Sequence, residues 1–329
     1  MSVVVYFTEA SRLPRLTSIE PRDPSTRCTI EYLDEGGANF VFRLLPERDY
    51  SLPDVITRKL LRLRKDLLHV QCTREQLRTF EETFKPLFPA ENLIAHELVS
   101  LDDGIATQFT RAWRSLDRPA HRARDFLPRD EKYGLLVTDM TPRAGDVLLQ
   151  IKPKWLAQSP GAPPNARRCR TCALRAQRAL VQLRTATDAQ QSCPLALVSN
   201  IVGDRSRAAQ AVSSDAQLVK YLVNDAQPLL HSLRDYQQQL DDGGVLNARA
   251  GDMAVVDGLC KAMTLRDCTL FLKRSSDGIE ARLGDLDLKL PERLEKWKQA
   301  EQSLIDGGWY TNTEIQETRV EERICLLSQ

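Results

Sequence analysis

Residues 28–45 of the chain read CTIEYLDEGGANFVFRLL, and they set the architecture of its N-terminal part. Two apolar runs, 28–33 and 39–45, flank an acidic turn that contains two glycines. This pattern predicts a strand, a glycine turn and a second strand. Segment 59–65, KLLRLRK, alternates leucines with cations and predicts a third strand with one apolar and one cationic face. The chain is therefore expected to open with a strand-rich region.

Later segments mix helices with strands. A helix is predicted from Thr73, where TREQ has the form of a capping box, to about Phe84. Further helices are predicted over 102–116, 168–186, 215–240 and 292–305, and further strands over 94–101, 134–138, 146–151, 268–272 and 280–288. This order favours an α+β fold with a strand-rich N-terminal lobe and a larger, helix-rich C-terminal lobe that contains a late strand pair.

Composition indicates a folded protein. Hydrophobic residues make up 42% and charged residues 28% of the 329 residues, which excludes disorder over the full length. No apolar stretch approaches the ~18 residues that cross a bilayer, and the start lacks the features of a secretory signal. The eight cysteines are scattered and predict reduced thiols. We expect a protein of the nucleus or cytoplasm.

The net charge is only +1, but one window of the chain is strongly basic. Between Asp146 and Asp188 there is no acidic residue, whereas eight lysines and arginines occur there. In IKPKW, residues 151–155, the proline keeps the backbone extended, so Lys152 and Lys154 are expected to point to the same side. Two like charges this close need an anion. The window predicts a polyanionic ligand, and its scarce aromatic residues argue against single-stranded nucleic acid.

The segment that follows, RRCRTCALRAQR at 167–178, adds arginines and two cysteines. Arg168 and Arg175 share a helix face and are candidates for bidentate hydrogen bonds to substrate phosphates. Cys169 and Cys172 have zinc-ligand spacing, but a zinc site needs four ligands and no second pair follows at a suitable distance. We therefore favour two partly buried helix cysteines over bound zinc.

Carboxylates suited to phosphoryl transfer come late in the sequence. Asp267 precedes an apolar strand, and DLDLK at 285–289 offers Asp285 and Asp287 at a spacing of two. Phosphoryl transfer uses carboxylates to hold Mg²⁺ and to accept the proton of the attacking hydroxyl. Taken alone, two aspartates at this spacing more often lie at an exposed strand end without a catalytic role. A catalytic role is therefore inferred only from the acidic and basic segments together.

In chain order, these segments resemble the inositol-pentakisphosphate 2-kinase family, and their details are closest to fungal members. The resemblance rests on EGGANFVFRL, KLLRLRK, RPAHR, IKPK, RRCRTCALRAQR, CPLALVS, RDCTLFL and DLDLK, of which IKPK and DLDLK are the most specific. It implies a two-lobed fold like that of inositol-polyphosphate kinases and protein kinases. Residues 1–141 would form the N-terminal lobe with the nucleotide loop and hinge, and residues 142–329 the C-terminal lobe with the inositol phosphate site and catalytic carboxylates.

The resemblance also implies roles for individual residues. Catalysis would involve Asp285, Lys152 and Asp287, with the roles of the two carboxylates interchangeable, and Mg²⁺ would be held by Asp267 and Asp285. ATP would be bound by Gly36, Gly37, Ala38, Asn39, Val41, Arg62, Asp139, Met140 and Asp267. Substrate phosphates would be held by Arg122, Lys152, Lys154, Lys289 and Arg293, with Trp297 beside them. Plant and animal relatives carry a Cys/His zinc site that has no evident counterpart in this sequence.

The implied activity is transfer of the γ-phosphoryl group of ATP to the 2-hydroxyl of inositol 1,3,4,5,6-pentakisphosphate, giving inositol hexakisphosphate (phytate). ATP and Mg²⁺ would be the cofactors. The protein would be a monomer that needs neither a membrane nor a nucleic acid as a partner. Two alternatives stay open: a non-catalytic protein that binds nucleic acid or inositol phosphates, and a kinase for another inositol phosphate. A catalyst requires the basic and acidic segments to meet, so Lys152 and Asp285 are expected to lie close together.

Overall fold

The structure is a computed structural model, and it describes residues 2–8, 13–22, 26–47, 50–113, 118, 120–181, 192–249, 251–312 and 325–328. The chain divides into two compact units. The first comprises Met1–Glu82 and Ile94–Asp139, and the second comprises Thr83–Leu93 and Met140–Gln329. The first unit is rich in strands and the second is mainly helical around a small sheet, which confirms the α+β class.

The first unit is built on a closed barrel, with seven strands in the described residues. They are β1 (Ser2–Thr8), β2 (Arg15–Thr17), β3 (Thr26–Glu35), β4 (Asn39–Pro46), β5 (Lys59–Arg64), β6 (His96–Leu101) and β7 (Tyr133–Thr138). The order around the barrel is β1-β2-β6-β7-β5-β4-β3, and β3 pairs with β1 to close it. Neighbouring strands are antiparallel except β2 and β6, which are parallel.

The hairpin predicted from residues 28–45 is present as β3 and β4. Cys28 and Ile30 of β3 are buried in the barrel core together with Phe40, Phe42 and Leu44 of β4. These are alternate positions along each strand, so one face of the hairpin fills the barrel.

Strand β5 is buried more completely than its alternating sequence predicts. Leu61 and Leu63 enter the core, but Leu60 and Arg62 on the other face are buried as well. Arg62, which was predicted to be either on a solvated strand face or beside the nucleotide phosphates, is therefore not solvated: it is 8% exposed. Arg62 lies beside His96, with 3.5 Å between Nη1 and Nε2, and the ring of Phe80 packs against that histidine.

In the described residues, the first unit carries the helices α1 (Thr73–Thr79) and α2 (Asp103–Trp113). The predicted capping box at the start of α1 is wrong. Cys72 is the N-cap residue, and Thr73 is a buried residue of the first turn. The side chain of Gln76 donates to the Gln71 carbonyl instead of completing a box.

The second unit contains an antiparallel sheet of strand order β10-β9-β8, together with several helices. Its strands are β8 (Val147–Ile151), β9 (Thr269–Ser275) and β10 (Gly278–Gly284). Its helices are α3 (Arg170–Val181), α4 (Val202–Gln210), α5 (Ala216–Val223), α6 (Gln227–Gln239), α7 (Met253–Leu265) and α8 (Leu294–Asp306). The predicted late strand pair is present as β9 and β10.

Several boundaries in this unit differ from the prediction. The helix predicted over 215–240 is broken into α5 and α6, because the chain turns at 224–226 and a new helix begins at Gln227, with Pro228 in its first turn. Helices α4 and α7 lie in segments for which no helix was predicted. The last strand ends at Gly284 rather than at 288, so DLDLK follows β10 instead of belonging to it. Residues 182–186 of the predicted basic helix lie outside the described residues.

A buried polar cluster joins α3 to α8. Glu301 is fully buried and accepts hydrogen bonds from Arg170 Nε at 2.7 Å, Tyr310 Oη at 2.6 Å and Ser159 Oγ at 2.7 Å. These donors satisfy the carboxylate inside the unit. Within the described ranges, no helix has the length and apolar character needed to cross a membrane.

Candidate functional site

Asp267, which lies between α7 and β9, is surrounded by lysines. Its Oδ1 accepts a hydrogen bond from Lys154 Nζ at 3.0 Å and lies 3.5 Å from Lys152 Nζ. Its Oδ2 accepts a hydrogen bond from Lys289 Nζ at 2.9 Å. Lys152 also donates to the main-chain oxygen of Asp267 at 2.9 Å. The two lysines of IKPK therefore point to the same side, as the sequence predicts.

The charges of this cluster keep Asp267 ionised. Burial would raise the pKa of its carboxyl group, but Lys289, Lys154 and Lys152 together lower the pKa well below the usual range. The four side chains are 27–41% exposed, so solvent and ligands can reach them. Three ammonium groups thus share one accessible carboxylate.

Asp285 follows β10 and brings a second carboxylate to the cluster. Its Oδ2 lies 3.8 Å from Lys152 Nζ and accepts a hydrogen bond from Thr269 Oγ1 of β9. The side chain of Asp285 is 57% exposed. The basic IKPK segment and the acidic DLDLK segment therefore meet in the second unit.

Two residues of the cluster have a left-handed backbone conformation. Lys154 has φ 61° and Asp285 has φ 57°, and among the described non-glycine residues only Arg58 shares this feature. For Lys154 this conformation costs roughly 1–2 kcal/mol, whereas aspartate adopts it more readily. Such strain collects where function demands a particular orientation of side chains. It indicates that the charge of Lys154 is positioned at the expense of stability.

Gln237 of α6 supports the backbone beneath the lysines. Its side-chain oxygen accepts a hydrogen bond from the Leu156 N–H at 2.9 Å. Its side-chain nitrogen donates to the carbonyl oxygens of Lys154 at 2.9 Å and Leu265 at 3.2 Å. This buried amide therefore links the IKPK segment to the end of α7.

Arg266 fixes the position of Asp267, the next residue in the chain. Its guanidinium group is buried and stacks on Trp155, with 3.6 Å between Cζ and the ring centroid. It donates to Asp241 at 2.5 Å and to the Gln237 carbonyl at 3.0 Å. Gln237, Arg266 and Asp241 were not predicted from the sequence as supports of the site. Only the adjacency of Arg266 to Asp267 could have indicated one of them.

The turn between β3 and β4 in the first unit exposes both of its glycines. The Gly36 N–H donates to the Asn39 carbonyl at 2.9 Å and closes the turn. Neither Gly36 nor Gly37 has a positive φ, and a Cβ atom at either position would meet no atom within 4 Å. Packing and conformation in the described protein therefore do not require glycine here. The missing side chains leave room for something else to approach the backbone.

A buried ion network lies directly behind this turn. Glu35 accepts hydrogen bonds from Arg118 on both carboxylate oxygens, at 2.8 and 3.0 Å, and lies 2.6 Å from Lys65 Nζ. Lys65 also pairs with Asp125 at 2.7 Å. Burial would raise the pKa of Glu35, but Arg118 and Lys65 lower the pKa to about 2. The network anchors the strand end that leads into the glycine turn.

Most other residues predicted for the nucleotide site lie in the first unit. The Lys65 N–H donates to the Ala38 carbonyl at 2.8 Å. Val41 and Arg62 face each other across β4 and β5. The Asp139 N–H donates to the Arg58 carbonyl at 2.9 Å. Asp267 and the buried Met140 belong to the second unit.

Arg168 and Arg175, both predicted to bind phosphates, are directed at the main chain of the second unit. Arg168 is 4% exposed, and its Nη1 donates to the Trp309 carbonyl at 3.2 Å. Arg175 Nη1 donates to the Ser192 carbonyl at 2.7 Å. Each guanidinium group thus has a main-chain carbonyl as a partner, and binding of phosphate by Arg168 and Arg175 stays a prediction.

The remaining predicted residues lie at different places in the fold. Arg122 is in the first unit and donates to the main-chain oxygen of Glu35. Arg293 precedes α8 as its N-cap residue, and Trp297 packs against the apolar cluster that contains Leu294. Asp287 is half-buried.

Comparison with known proteins connects this geometry to a family. Residues 32–303 match the family model for inositol-pentakisphosphate 2-kinase, which is more than half of the chain. An inositol-pentakisphosphate 2-kinase of Yarrowia lipolytica is similar, with 33% identity over 168 residues, 49% of this chain and 53% of that protein. The alignment thus spans about half the length of this curated relative. On the extent of the family match, the chain belongs to the inositol-pentakisphosphate 2-kinase family.

Proposed function

We propose that the protein is an ATP-dependent kinase that phosphorylates the 2-hydroxyl of inositol 1,3,4,5,6-pentakisphosphate and so produces inositol hexakisphosphate. The observation that carries the proposal is the convergence of Lys152, Lys154 and Lys289 on Asp267, with Asp285 beside Lys152. A protein that only binds polyanions has no need for exposed carboxylates among its lysines. Their presence favours catalysis.

The lysine cluster is suited to phosphate groups. Each ammonium group carries three N–H donors, and Asp267 holds the ammonium groups of Lys154 and Lys289 by one hydrogen bond each. Further N–H groups can therefore donate to phosphate oxygens, while Asp267 keeps the lysines in place before the substrate arrives. A ligand with five phosphates supplies the anionic charge that such a cluster binds.

The reaction that we propose is an in-line displacement. The 2-hydroxyl oxygen attacks the γ-phosphorus, the bond to the β,γ-bridging oxygen breaks, and ADP leaves. The hydroxyl proton passes to a carboxylate of the Asp285–Asp287 pair. Lys152 neutralises charge on the transferred group, because its ammonium group lies 3.8 Å from Asp285. Positioning and charge neutralisation provide the catalysis.

Magnesium fits Asp285 better than Asp267. The Asp285 carboxylate is exposed, whereas ammonium groups bind both oxygens of Asp267 and repel a divalent cation. We therefore assign Asp285, and no longer Asp267, to hold Mg²⁺. When bound with ATP, the ion supplies positive charge to the phosphate oxygens.

For the nucleotide, we assign the phosphates to the turn of Gly36, Gly37, Ala38 and Asn39. The space left by the two glycines supports this assignment, since backbone N–H groups without side chains around them can bind phosphate oxygens. A two-lobed kinase-like arrangement, with Thr138, Asp139 and Met140 as the hinge, is part of the proposal. Action as a monomer in the nucleus or cytoplasm stays a prediction.

The direct test is incubation of the protein with Mg·ATP and a panel of inositol phosphates, with products resolved by ion-exchange chromatography. We expect inositol hexakisphosphate from the 1,3,4,5,6-pentakisphosphate and ADP in equal amount. A product from another member of the panel alone would make the protein a kinase of different specificity. Tight binding without any product would support the non-catalytic alternative and contradict the proposal.

A further inference from the structure

One end of the sheet in the second unit carries both charged residues of the proposed reacting centre. Strand β8 ends one residue before Lys152, and β10 ends one residue before Asp285. Strand β9 lies between them and begins at Thr269, which pairs with the last residue of β10. Because β9 is antiparallel to both neighbours, its start lies at the same end of the sheet as their ends. The register therefore brings Lys152, Thr269 and Asp285 together.

The Thr269 hydroxyl holds one oxygen of the Asp285 carboxylate. Thr269 is 6% exposed, and its Oγ1 donates to Asp285 Oδ2, the oxygen that also lies 3.8 Å from Lys152 Nζ. Threonine is branched at Cβ and has a restricted χ1, so the strand sets the direction of this hydroxyl. Within the part of the chain that the structure describes, Asp285 Oδ1 accepts no hydrogen bond. One oxygen is thus fixed and the other is left for a substrate.

A second threonine holds the other end of the same acidic segment. Thr264 is fully buried near the end of α7. Its Oγ1 donates to the Cys260 carbonyl at 2.8 Å and accepts a hydrogen bond from the Lys289 N–H at 2.9 Å. The Lys289 Nζ in turn donates to Asp267 at 2.9 Å. Thr264 therefore fixes the backbone from which Lys289 reaches the lysine cluster.

We propose that Thr269 and Thr264, which flank Asp267 in the chain, are positioning residues for the two ends of DLDLK. Thr269 orients the Asp285 carboxylate toward the reacting hydroxyl, and Thr264 places Lys289 against a substrate phosphate. This inference rests on the proposed kinase function. DLDLK follows β10 as a loop, and a reacting group on a loop needs such hydrogen bonds to keep a productive geometry. The two threonines therefore control different quantities: Thr269 controls kcat, and Thr264 controls substrate binding.

The role of Thr269 is tested by removing only its hydroxyl. Thr269→Val should lower kcat by about 10–150-fold, because a hydrogen bond to a charged group is lost. Calorimetric affinity for inositol 1,3,4,5,6-pentakisphosphate without nucleotide should stay unchanged, and Thr269→Ser should restore most of the rate. Thr26→Val is the matched control, since Thr26 is equally buried in the first unit and its hydroxyl donates to a main-chain carbonyl. If Thr269→Val does not fold, Thr269→Ala replaces it, with the same expected loss.

The role of Thr264 is tested by the converse pattern. Thr264→Val should weaken the calorimetric affinity for the pentakisphosphate by about 3–10-fold, the effect of one neutral hydrogen bond, and kcat at saturating substrate should stay near that of the wild type. Thr264→Ser should restore the affinity. Circular dichroism checks that each variant is folded.

Two results would overturn the inference. The first is a wild-type kcat in Thr269→Val together with wild-type affinity in Thr264→Val. The second is an equal loss of kcat and affinity in both variants, which is what a purely structural role produces. An inactive wild type would overturn the proposed function and the role of Thr269 with it, whereas an active wild type with either result would overturn this inference alone.

Discussion

Both units contain a carboxylate held by several cations, and the two clusters differ in burial. In the barrel unit, Glu35, Lys65 and Arg118 have side chains that are 0–4% exposed. In the second unit, Asp267 and its lysines are 27–41% exposed. The first cluster is closed to ligands and the second is open. The same kind of charge pairing thus stabilises the fold in one place and prepares a binding site in the other.

Energetics separate the two clusters in the same way. Removing one partner of a buried ion pair costs about 3–5 kcal/mol, because the other charge stays buried. Exposed pairs contribute only about 0–1 kcal/mol. The lysine cluster therefore adds little to stability, and Lys154 adopts a strained backbone conformation within it. A cluster that gives little stability and contains a strained lysine is better explained by a ligand.

The largest expected effect is on catalysis. Asp285→Asn should lower kcat by about a thousandfold, or about 4 kcal/mol, because the exposed carboxylate is lost from the reacting centre. Asparagine tolerates the left-handed backbone, so the fold should persist. Steady-state kinetics with circular dichroism measure both quantities. Asp277→Asn, in the exposed turn after β9, is the control. A near-normal rate in Asp285→Asn would remove this residue from the mechanism.

The next largest effect is on stability of the barrel unit. Glu35→Gln should lower the free energy of unfolding at pH 7 by about 3 kcal/mol, given the shift in the pKa of Glu35 from 4.5 to about 2. Because the folded state depresses this pKa, the stabilisation is complete above about pH 4.5 and is lost as pH falls toward 2. Urea unfolding at several pH values measures it. The difference from wild type should shrink on acidification, and a constant difference would contradict the assignment. Glu31→Gln on β3 is the control.

A smaller effect is expected from a single lysine of the open cluster. Lys152→Ala should lower kcat/KM by about 10–150-fold, equivalent to about 1.5–3 kcal/mol for a charge-assisted hydrogen bond. Stability should change little, since the side chain is exposed. Lys220→Ala, exposed on α5, should retain full activity. Unchanged kcat/KM in Lys152→Ala would exclude the lysine from the site.

The smallest effect concerns the glycine turn. Gly36→Ala should raise the free energy of unfolding by about 0.4–1 kcal/mol, because the added Cβ has free space and the unfolded chain loses freedom. The same Cβ should raise the KM for ATP several-fold if nucleotide phosphates approach the backbone there. Gly243→Ala, also in open space, should leave this KM unchanged. A stabilised Gly36→Ala variant with an unchanged KM for ATP would contradict the assignment of the nucleotide phosphates to this turn.

Local patterns were predicted well from the sequence. The β3–β4 hairpin follows from alternating apolar residues around a glycine turn. Lys152 and Lys154 lie on one side as predicted, although the backbone at Lys154 is left-handed and not extended as the proline was expected to keep it. The proximity of Lys152 and Asp285 was expected only from the resemblance to the kinase family. That expectation assumed that the IKPK and DLDLK segments, which are far apart in sequence, meet in the fold.

Features that depend on tertiary contacts were not predicted. The burial of Leu60 and Arg62, opposite the core face of β5, depends on contacts such as that of Arg62 with His96, which the alternation of KLLRLRK does not show. Arg168 lies in the basic segment that predicts a phosphate site, yet it donates to the main-chain carbonyl of Trp309, which is far along the chain. Cys325 meets the two cysteines of that segment only through the fold.

The central claim is that the open lysine cluster binds the phosphates of the substrate. Calorimetric titration with inositol 1,3,4,5,6-pentakisphosphate tests this claim most directly. Wild-type protein is compared with the triple variant Lys152→Ala, Lys154→Ala, Lys289→Ala at low and high salt. We predict binding by the wild type that weakens with salt, and loss of at least about a hundredfold in affinity in the triple variant, which should stay folded. Equal affinity in the two proteins would contradict the account.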